Sequence, residues 1–273
     1  MLEGLLVEGL LFNAALIAVV MIGLWLIAVR IADVSFIDAV WGGGMALLAV
    51  SSWLQQGRNG DHGPGALATL IMAMAVLWGG RLALHLFVRW RAHGEDPRYA
   101  RMLGKAKERG RFASAALKIV FGPQAVLLFL VCLPAQLGIL ASPDPAPLGP
   151  LAWAGLALWS IGVFFEWVGD WQLARFRADP ASKGKVLDTG LWRYTRHPNY
   201  FGDTCAWWGI WLAAASAGWE IAAASIVGPL FLTFTLTKWS GKPLLEKGMA
   251  KRRPEYAAYV ARTSGFVPWW PKG

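Results

Sequence analysis

The chain has 273 residues, of which 56% are hydrophobic, 17 are Trp and only 16% are charged, and it carries a formal net charge of +9. That balance excludes an ordinary soluble domain and makes lipid the expected solvent. A disulfide framework or zinc site is excluded too, because Cys132 and Cys205 fall inside apolar stretches far apart in the chain and read as core residues.

A hydrocarbon core of about 30 Å needs about 20 mostly apolar residues per helix. Seven stretches come near that length, at 10–29, 35–54, 66–88, 115–140, 150–168, 203–218 and 221–238. The expected fold is all-α, a polytopic integral membrane protein of about seven transmembrane helices in a single transmembrane domain over 1–273. The first stretch has Glu3 and Glu8 where a signal peptide would be basic, so it reads as a retained span. Lys and Arg number nine in 89–118, six in 175–196 and eight from Lys238 to the end, against Arg58 alone in 55–65 and none in 141–149 or the tight Ala217–Gly218 turn. By the positive-inside rule the N-terminus lies outside and the C-terminus in the cytosol. The net charge is then mostly topology and contact with membrane lipids, and it does not argue for nucleic acid.

Charges inside spans each need a partner or a watery cavity, since one at a helix centre costs about 2.5–3.5 kcal/mol. In the second span Asp33 and Asp38 stand about 140° apart on a helix, so they face different ways. Asp33 is expected to cap or solvate the helix end, and Asp38, more than a turn deeper, to need a partner or do chemistry. In the third span Arg81, His85 and Arg89 recur along one face. Arg81 either serves a site or pairs with a carboxylate such as Asp38. The Gly42-Gly43-Gly44 and Gly79-Gly80 runs read as close-packing points between spans. In the fifth span Glu166 and Asp170 share a face ahead of Arg175 and Arg177, a set suited to ligand hydroxyls and phosphates.

The segment GLWRYTRHPNYFGD, 190–203, crowds Arg193, Tyr194, Arg196, His197, Asn199, Tyr200 and Asp203 into a loop that runs into the sixth span. Pro198 restricts His197 and opens the helix, so Asn199 and Asp203 face one way from its first turns. Free N–H groups there favour an anion, and Arg193, Arg196 and His197 add donors. In the tail, Tyr256, Tyr259 and Arg262 form one stripe of an amphipathic helix that lies across the cytosolic mouth or anchors at the membrane surface.

The Arg196-His-Pro-Asn-Tyr-Phe-Gly-Asp203 run, followed by Pro254-Glu255-Tyr256-x-x-Tyr259, resembles the membrane superfamily of steroid 5α-reductases, sterol reductases and isoprenylcysteine methyltransferases. Arg81-Leu-x-x-His85-x-x-x-Arg89-Trp90-Arg91 through Glu95-Asp96-Pro97-Arg98-Tyr99 is similar to its bacterial steroid 5α-reductase-like branch (DUF1295-like). The resemblance implies a multi-pass protein of the bacterial inner membrane, a monomer, that uses NADPH to reduce the C=C bond of a 3-oxo-Δ4 steroid or another enone lipid. It implies a lipid pocket in spans 1–4, 1–140, and a cofactor cradle in spans 5–7 and the tail, 141–273. The residues toward the cofactor would be Arg89, Arg98, Glu166, Asp170, Arg177, Arg193, Tyr194, Arg196, His197, Asn199, Tyr200, Asp203, Tyr256 and Tyr259. The family's carbonyl-polarising Glu and Tyr are replaced here by Asp38 and Trp78, which with Arg81 make the expected catalytic group.

Hydride delivery to an enone β-carbon builds charge on the carbonyl oxygen, and a protonated Asp38 is a candidate donor to it. No GxGxxG turn follows a strand, so a Rossmann domain is excluded and helices and loops must hold the dinucleotide. The alternative is an isoprenylcysteine-type methyltransferase using S-adenosylmethionine. The second arginine-rich loop, 89–111, and the Glu166, Asp170 and Arg177 group favour the reductase, because a dinucleotide needs more phosphate-binding cations. The surplus of Arg also favours NADPH over NADH.

Overall fold

The computed structural model describes residues 2–59, 63–142, 147–239 and 241–272. Parts of the 55–65 and 141–149 connections lie outside the described residues, as do the side chains of Lys251 and Arg252. The helices are α1 (Leu2–Ile31), α2 (Ile37–Asn59), α3 (Ala66–His93), α4 (Pro97–Glu108), α5 (Phe112–Ala115), α6 (Gly122–Val131), α7 (Leu133–Leu140), α8 (Pro150–Ala178), α9 (Pro198–Ala214), α10 (Trp219–Ser225), α11 (Val227–Phe234), α12 (Lys242–Arg252) and α13 (Tyr256–Arg262). Wide π turns at Ala116–Phe121 and Thr235–Trp239 join α5 to α6 and extend α11. Among the described residues there is no strand, only an isolated bridge between Thr195 and Ser264.

Six of these segments are long and apolar enough to cross a membrane: Glu3–Ile31, Ile37–Arg58, Ala66–His93, Phe112–Val131, Pro150–Ala178 and Trp219–Met249. Large apolar side chains such as Leu11, Val19, Leu84 and Phe164 point outward from them, as a lipid-facing surface requires. The chain is an all-helical membrane protein. The expected sixth span begins five residues before 203, at Pro198, and α9 is 17 residues long and buried along much of its length. The expected fourth span is not one helix: the π turn and Pro123 interrupt it, and it breaks at Cys132 ahead of Pro134. The Arg-rich 89–111 segment, read as a loop, instead contains α4. Asp96 caps α4 by accepting the Arg98 N–H at 2.8 Å, and Pro97 fills the first turn.

Glycines set the helix spacing. Gly155, Gly162 and Gly169 recur every two turns along α8 and face Gly209, Gly202 and the Pro198–Asn199 start of antiparallel α9. A Cβ at Gly155 would lie 2.5 Å from the Gly209 carbonyl oxygen, and one at Gly162 the same distance from the Ala206 nitrogen, so the two backbones are nearly in contact. Gly42 of α2 and Gly79 of α3 meet in the same way, as expected. Gly80 does not: a Cβ there would meet nothing within 4 Å. Gly162→Leu is therefore expected to cost about 1–3 kcal/mol or more, while Gly80→Ala is neutral or slightly stabilising; thermal unfolding of both variants in detergent checks the contrast.

A second device is a buried polar knot between α1, α2 and α7. Asn13 donates to Ser52 Oγ at 2.8 Å and to Gln136 Oε1 at 3.0 Å, while Ser51 and Gln55 donate to Asn13 Oδ1. Asn13, Ser52 and Gln136 are fully buried, and each polar atom of Asn13 is matched.

Candidate functional site

The close α8–α9 approach brings the charged faces of three helices together at the end of the bundle that carries the basic loops. Arg81 of α3 donates through Nη1 to Glu166 Oε1 at 2.9 Å and pairs through Nη2 with Asp170 Oδ2 at 2.7 Å. Trp78, one turn earlier on α3, donates its indole N–H to Glu166 Oε2 at 2.8 Å and packs edge-on against Trp207 of α9. Asn199 donates to Asp170 Oδ1 at 3.2 Å, and His85 Nε2 lies 3.9 Å from Asp170 Oδ2. Asp203 is an electrostatic neighbour of both Glu166 and Asp170, and its Oδ1 is buried with no hydrogen-bond partner. Two carboxylates thus share one guanidinium, and a third, Asp203, lies near them with a buried unpaired oxygen.

This arrangement joins the predicted Arg81, Trp78, Glu166, Asp170, Asn199 and Asp203, and it confirms the shared faces of Arg81 with His85 and of Asn199 with Asp203. It overturns the pairing of Arg81 with Asp38. Asp38 sits in the first turn of α2 rather than deep in a span, since the helix begins only at Ile37. There it accepts the Tyr99 hydroxyl at 2.7 Å and Arg98 Nη2 at 2.7 Å, with Arg89 Nη2 at 3.8 Å. Both its oxygens accept hydrogen bonds in this structure, Oδ1 from Tyr99 and Oδ2 from Arg98. Trp78 gives its one N–H to Glu166. Asp33 lies in the loop between α1 and α2, where it accepts the Ser35 N–H at 2.7 Å and the Trp90 indole N–H at 2.8 Å.

Tyr200 lies between the two groups, with Arg98, Asp203, Arg89 and Asp170 as its electrostatic neighbours. Arg177 is exposed at the same end, with Arg89, Arg253 and Asp170 around it. Glu166, Asp170 and Asp203 thus lie at the same end of the bundle as Arg89, Arg98, Arg177 and Arg253.

The rest of the 190–203 motif has another job. Arg196 is 9% exposed and donates to Glu246 Oε1 at 2.8 Å and to the Thr263 and Val260 carbonyls at 2.6 and 3.1 Å. His197 shares Glu246 Oε1 at 3.0 Å and stacks on Tyr200. Arg196 and His197 are therefore spent on the chain itself and not free to clasp an anion. Tyr259 donates to the Trp192 carbonyl at 2.5 Å, Tyr256 packs beside it, Tyr194 meets Trp270 edge-on, and Arg262 pairs with Asp188. These residues lock α12 and α13 onto the loop before α9; Tyr256 and Tyr259 face inward instead of forming a free stripe. Arg193 is exposed. The partner that sequence reasoning missed is Glu246, a carboxylate 49 residues from His197 with no motif around it.

Burial holds the His197 imidazole below its ordinary range, against the opposing pull of Glu246. Folding therefore favours the neutral ring, and stability is lost as pH falls below the unfolded value of about 6.5. The thermal midpoint is expected to drop on that acid limb, and His197→Gln to flatten it.

Tyr99 is 9% exposed, and burial, reinforced by Asp38, raises its phenol above the ordinary range. Gln124 is its second polar neighbour, at 3.4 Å.

Among curated proteins the chain is similar to "Uncharacterized protein C594.04c" of Schizosaccharomyces pombe (strain 972 / ATCC 24843), 26% identical over 171 residues. The match covers 53% of this chain and 46% of that protein, so the chain spans about half the length of this curated relative. No solved structure matches. The model of the family described as "Protein of unknown function (DUF1295)" matches residues 24–263, from the last turns of α1 to the end of α13, and the chain belongs to that family.

Proposed function

We propose that the protein is an NADPH-dependent membrane reductase acting on the C=C bond of a 3-oxo-Δ4 steroid or a related enone lipid. The observation that carries this reading is the proximity, around Tyr200, of an acidic group with one buried unpaired oxygen and of four arginines. The relation of the DUF1295 family to steroid 5α-reductase-like proteins supports it. The residues fit the cofactor: the unpaired Asp203 oxygen, once exposed to it, suits a hydroxyl or amide donor, and the arginines suit phosphates, including a 2′-phosphate. NADPH, when bound, supplies the hydride.

The chain's own contribution is positioning and a proton. Arg81 holds Glu166 and Asp170 in one geometry, so Asp203 lies near a fixed pair of carboxylates. Tyr99, whose phenol burial keeps protonated, would polarise the enone carbonyl by turning its one O–H from Asp38 to the substrate, with Asp38 remaining paired to Arg98. In this reading α9 is the sixth of seven spans, the N-terminus lies outside, and the basic end faces the cytosol of a bacterial inner membrane, where NADPH is available. The N-terminal half admits the lipid substrate.

The test is NADPH oxidation by the detergent-purified protein with progesterone or testosterone, beside Asp203→Ala and a titration with S-adenosylmethionine. Steroid-dependent oxidation that falls at least tenfold in Asp203→Ala supports the reductase. Saturable S-adenosylmethionine binding without oxidation would move the assignment to the methyltransferase.

A further inference from the structure

The 89–118 region holds nine Lys and Arg, and the bundle uses only some of them. Arg89 and Arg98 face Asp38, and Lys107 donates to the Ala32 carbonyl at 3.0 Å beside the Phe112 ring. Four others share one open cleft of about 360 Å³: Lys105 and Arg109 from the end of α4, Arg111 from the turn after it, and Lys118 from the π turn. No carboxylate lines this cleft. Among the described residues none comes within ion-pair distance of any of the four.

Four uncompensated cations in one concavity repel each other and attract a polyanion. The remaining walls say which kind. Met102 and Ile119, 52% and 51% exposed, stand in the same cleft as the cations. The apolar segment Phe112–Val131 starts here, which puts the cleft where a span leaves the hydrocarbon and head groups begin. A soluble phosphate has no use for those apolar walls, whereas a lipid meets both surfaces. The opposite face of α4 is used differently, with Tyr99 and Leu103 buried against the bundle.

We propose that this cleft is a specific site for an anionic phospholipid, with its phosphate on Lys105, Arg109, Arg111 and Lys118 and its chains beside Met102 and Ile119. The bound lipid ties α4 to the head of the fourth span. Because α4 carries Arg98 and Tyr99 to Asp38, it also steadies that group.

The experiment takes the full chain in neutral detergent, stripped of lipid, and adds phosphatidylglycerol, phosphatidylcholine or inorganic phosphate. Native mass spectrometry reads bound lipid, and thermal unfolding reads its effect. Phosphatidylglycerol is expected to remain bound and raise the midpoint, phosphatidylcholine and phosphate to do neither, and high salt to release the lipid from the wild type. Arg109→Gln/Lys118→Gln is expected to weaken retention about thirtyfold, given the usual contribution of each cation at a charged surface. Lys183→Gln/Lys185→Gln, with the same charge change at two exposed residues elsewhere, leaves it unaltered. Equal retention of the two lipids, equal losses in the two variants, salt-insensitive retention, or an equal response to phosphate each overturns the proposal. None of these readouts requires reductase activity.

Discussion

Arg81→Leu is expected to be the most destabilising single substitution at the site, lowering stability by about 3–5 kcal/mol, because it leaves buried carboxylates without their shared cation. Glu166 is 3% exposed and both its oxygens are satisfied, one by Arg81 and one by Trp78. Asp170 loses an ion pair of 2.7 Å in the same step. Arg81→Lys is expected to fall between wild type and Arg81→Leu, since one ammonium cannot reproduce the planar fork that spans both acids. Adding Glu166→Gln to Arg81→Leu should recover part of the loss by removing one unpaired charge. Thermal or denaturant unfolding in detergent measures the series; additive losses in the double variant would show that the two residues do not act as one unit.

Tyr99→Phe is expected to lower kcat by about 10²–10⁴ with a smaller change in KM, the range for removal of a positioned proton donor. The substitution keeps the ring and its packing on α4 but removes the hydroxyl that meets Asp38 at 2.7 Å. Asp38→Asn is expected to fall less far, because Asp38 orients the donor without supplying the proton. Steady-state NADPH oxidation with a 3-oxo-Δ4 steroid checks both. A Tyr99→Phe enzyme with unchanged kcat would return the donor role to another group while leaving the cofactor reading, tested through Asp203, intact.

Much of the site was legible in the sequence because helical periodicity is local. Arg81 and His85, Glu166 and Asp170, and Asn199 and Asp203 are all spaced i, i+4, so the side of each helix they occupy follows from the chain itself, and the structure keeps those faces. What periodicity could not supply was which faces meet. The sequence offered Asp38 as one carboxylate for Arg81, and the pairing fell to Glu166 and Asp170 because α2 starts at Ile37, which leaves Asp38 at the helix end beside α4. The density of 190–203 likewise signalled a committed segment, but not its partner. Arg196 and His197 close on Glu246 and on tail carbonyls, contacts at separations of 49 to 67 residues.

Composition, hydropathy and the alternation of basic connections determined by themselves that this is an all-helical membrane chain whose polar chemistry gathers at one end, because lipid requires each span to satisfy its own backbone and exclude unpaired charge. Tertiary structure alone decided which charges are paired and which remain open. The α8 and α9 glycines let two backbones nearly touch and so bring Glu166, Asp170 and Asp203 together. The grouping of these three carboxylates, two of them on the Arg81 guanidinium, arises from that helix spacing, which depends on contacts between segments distant in the chain.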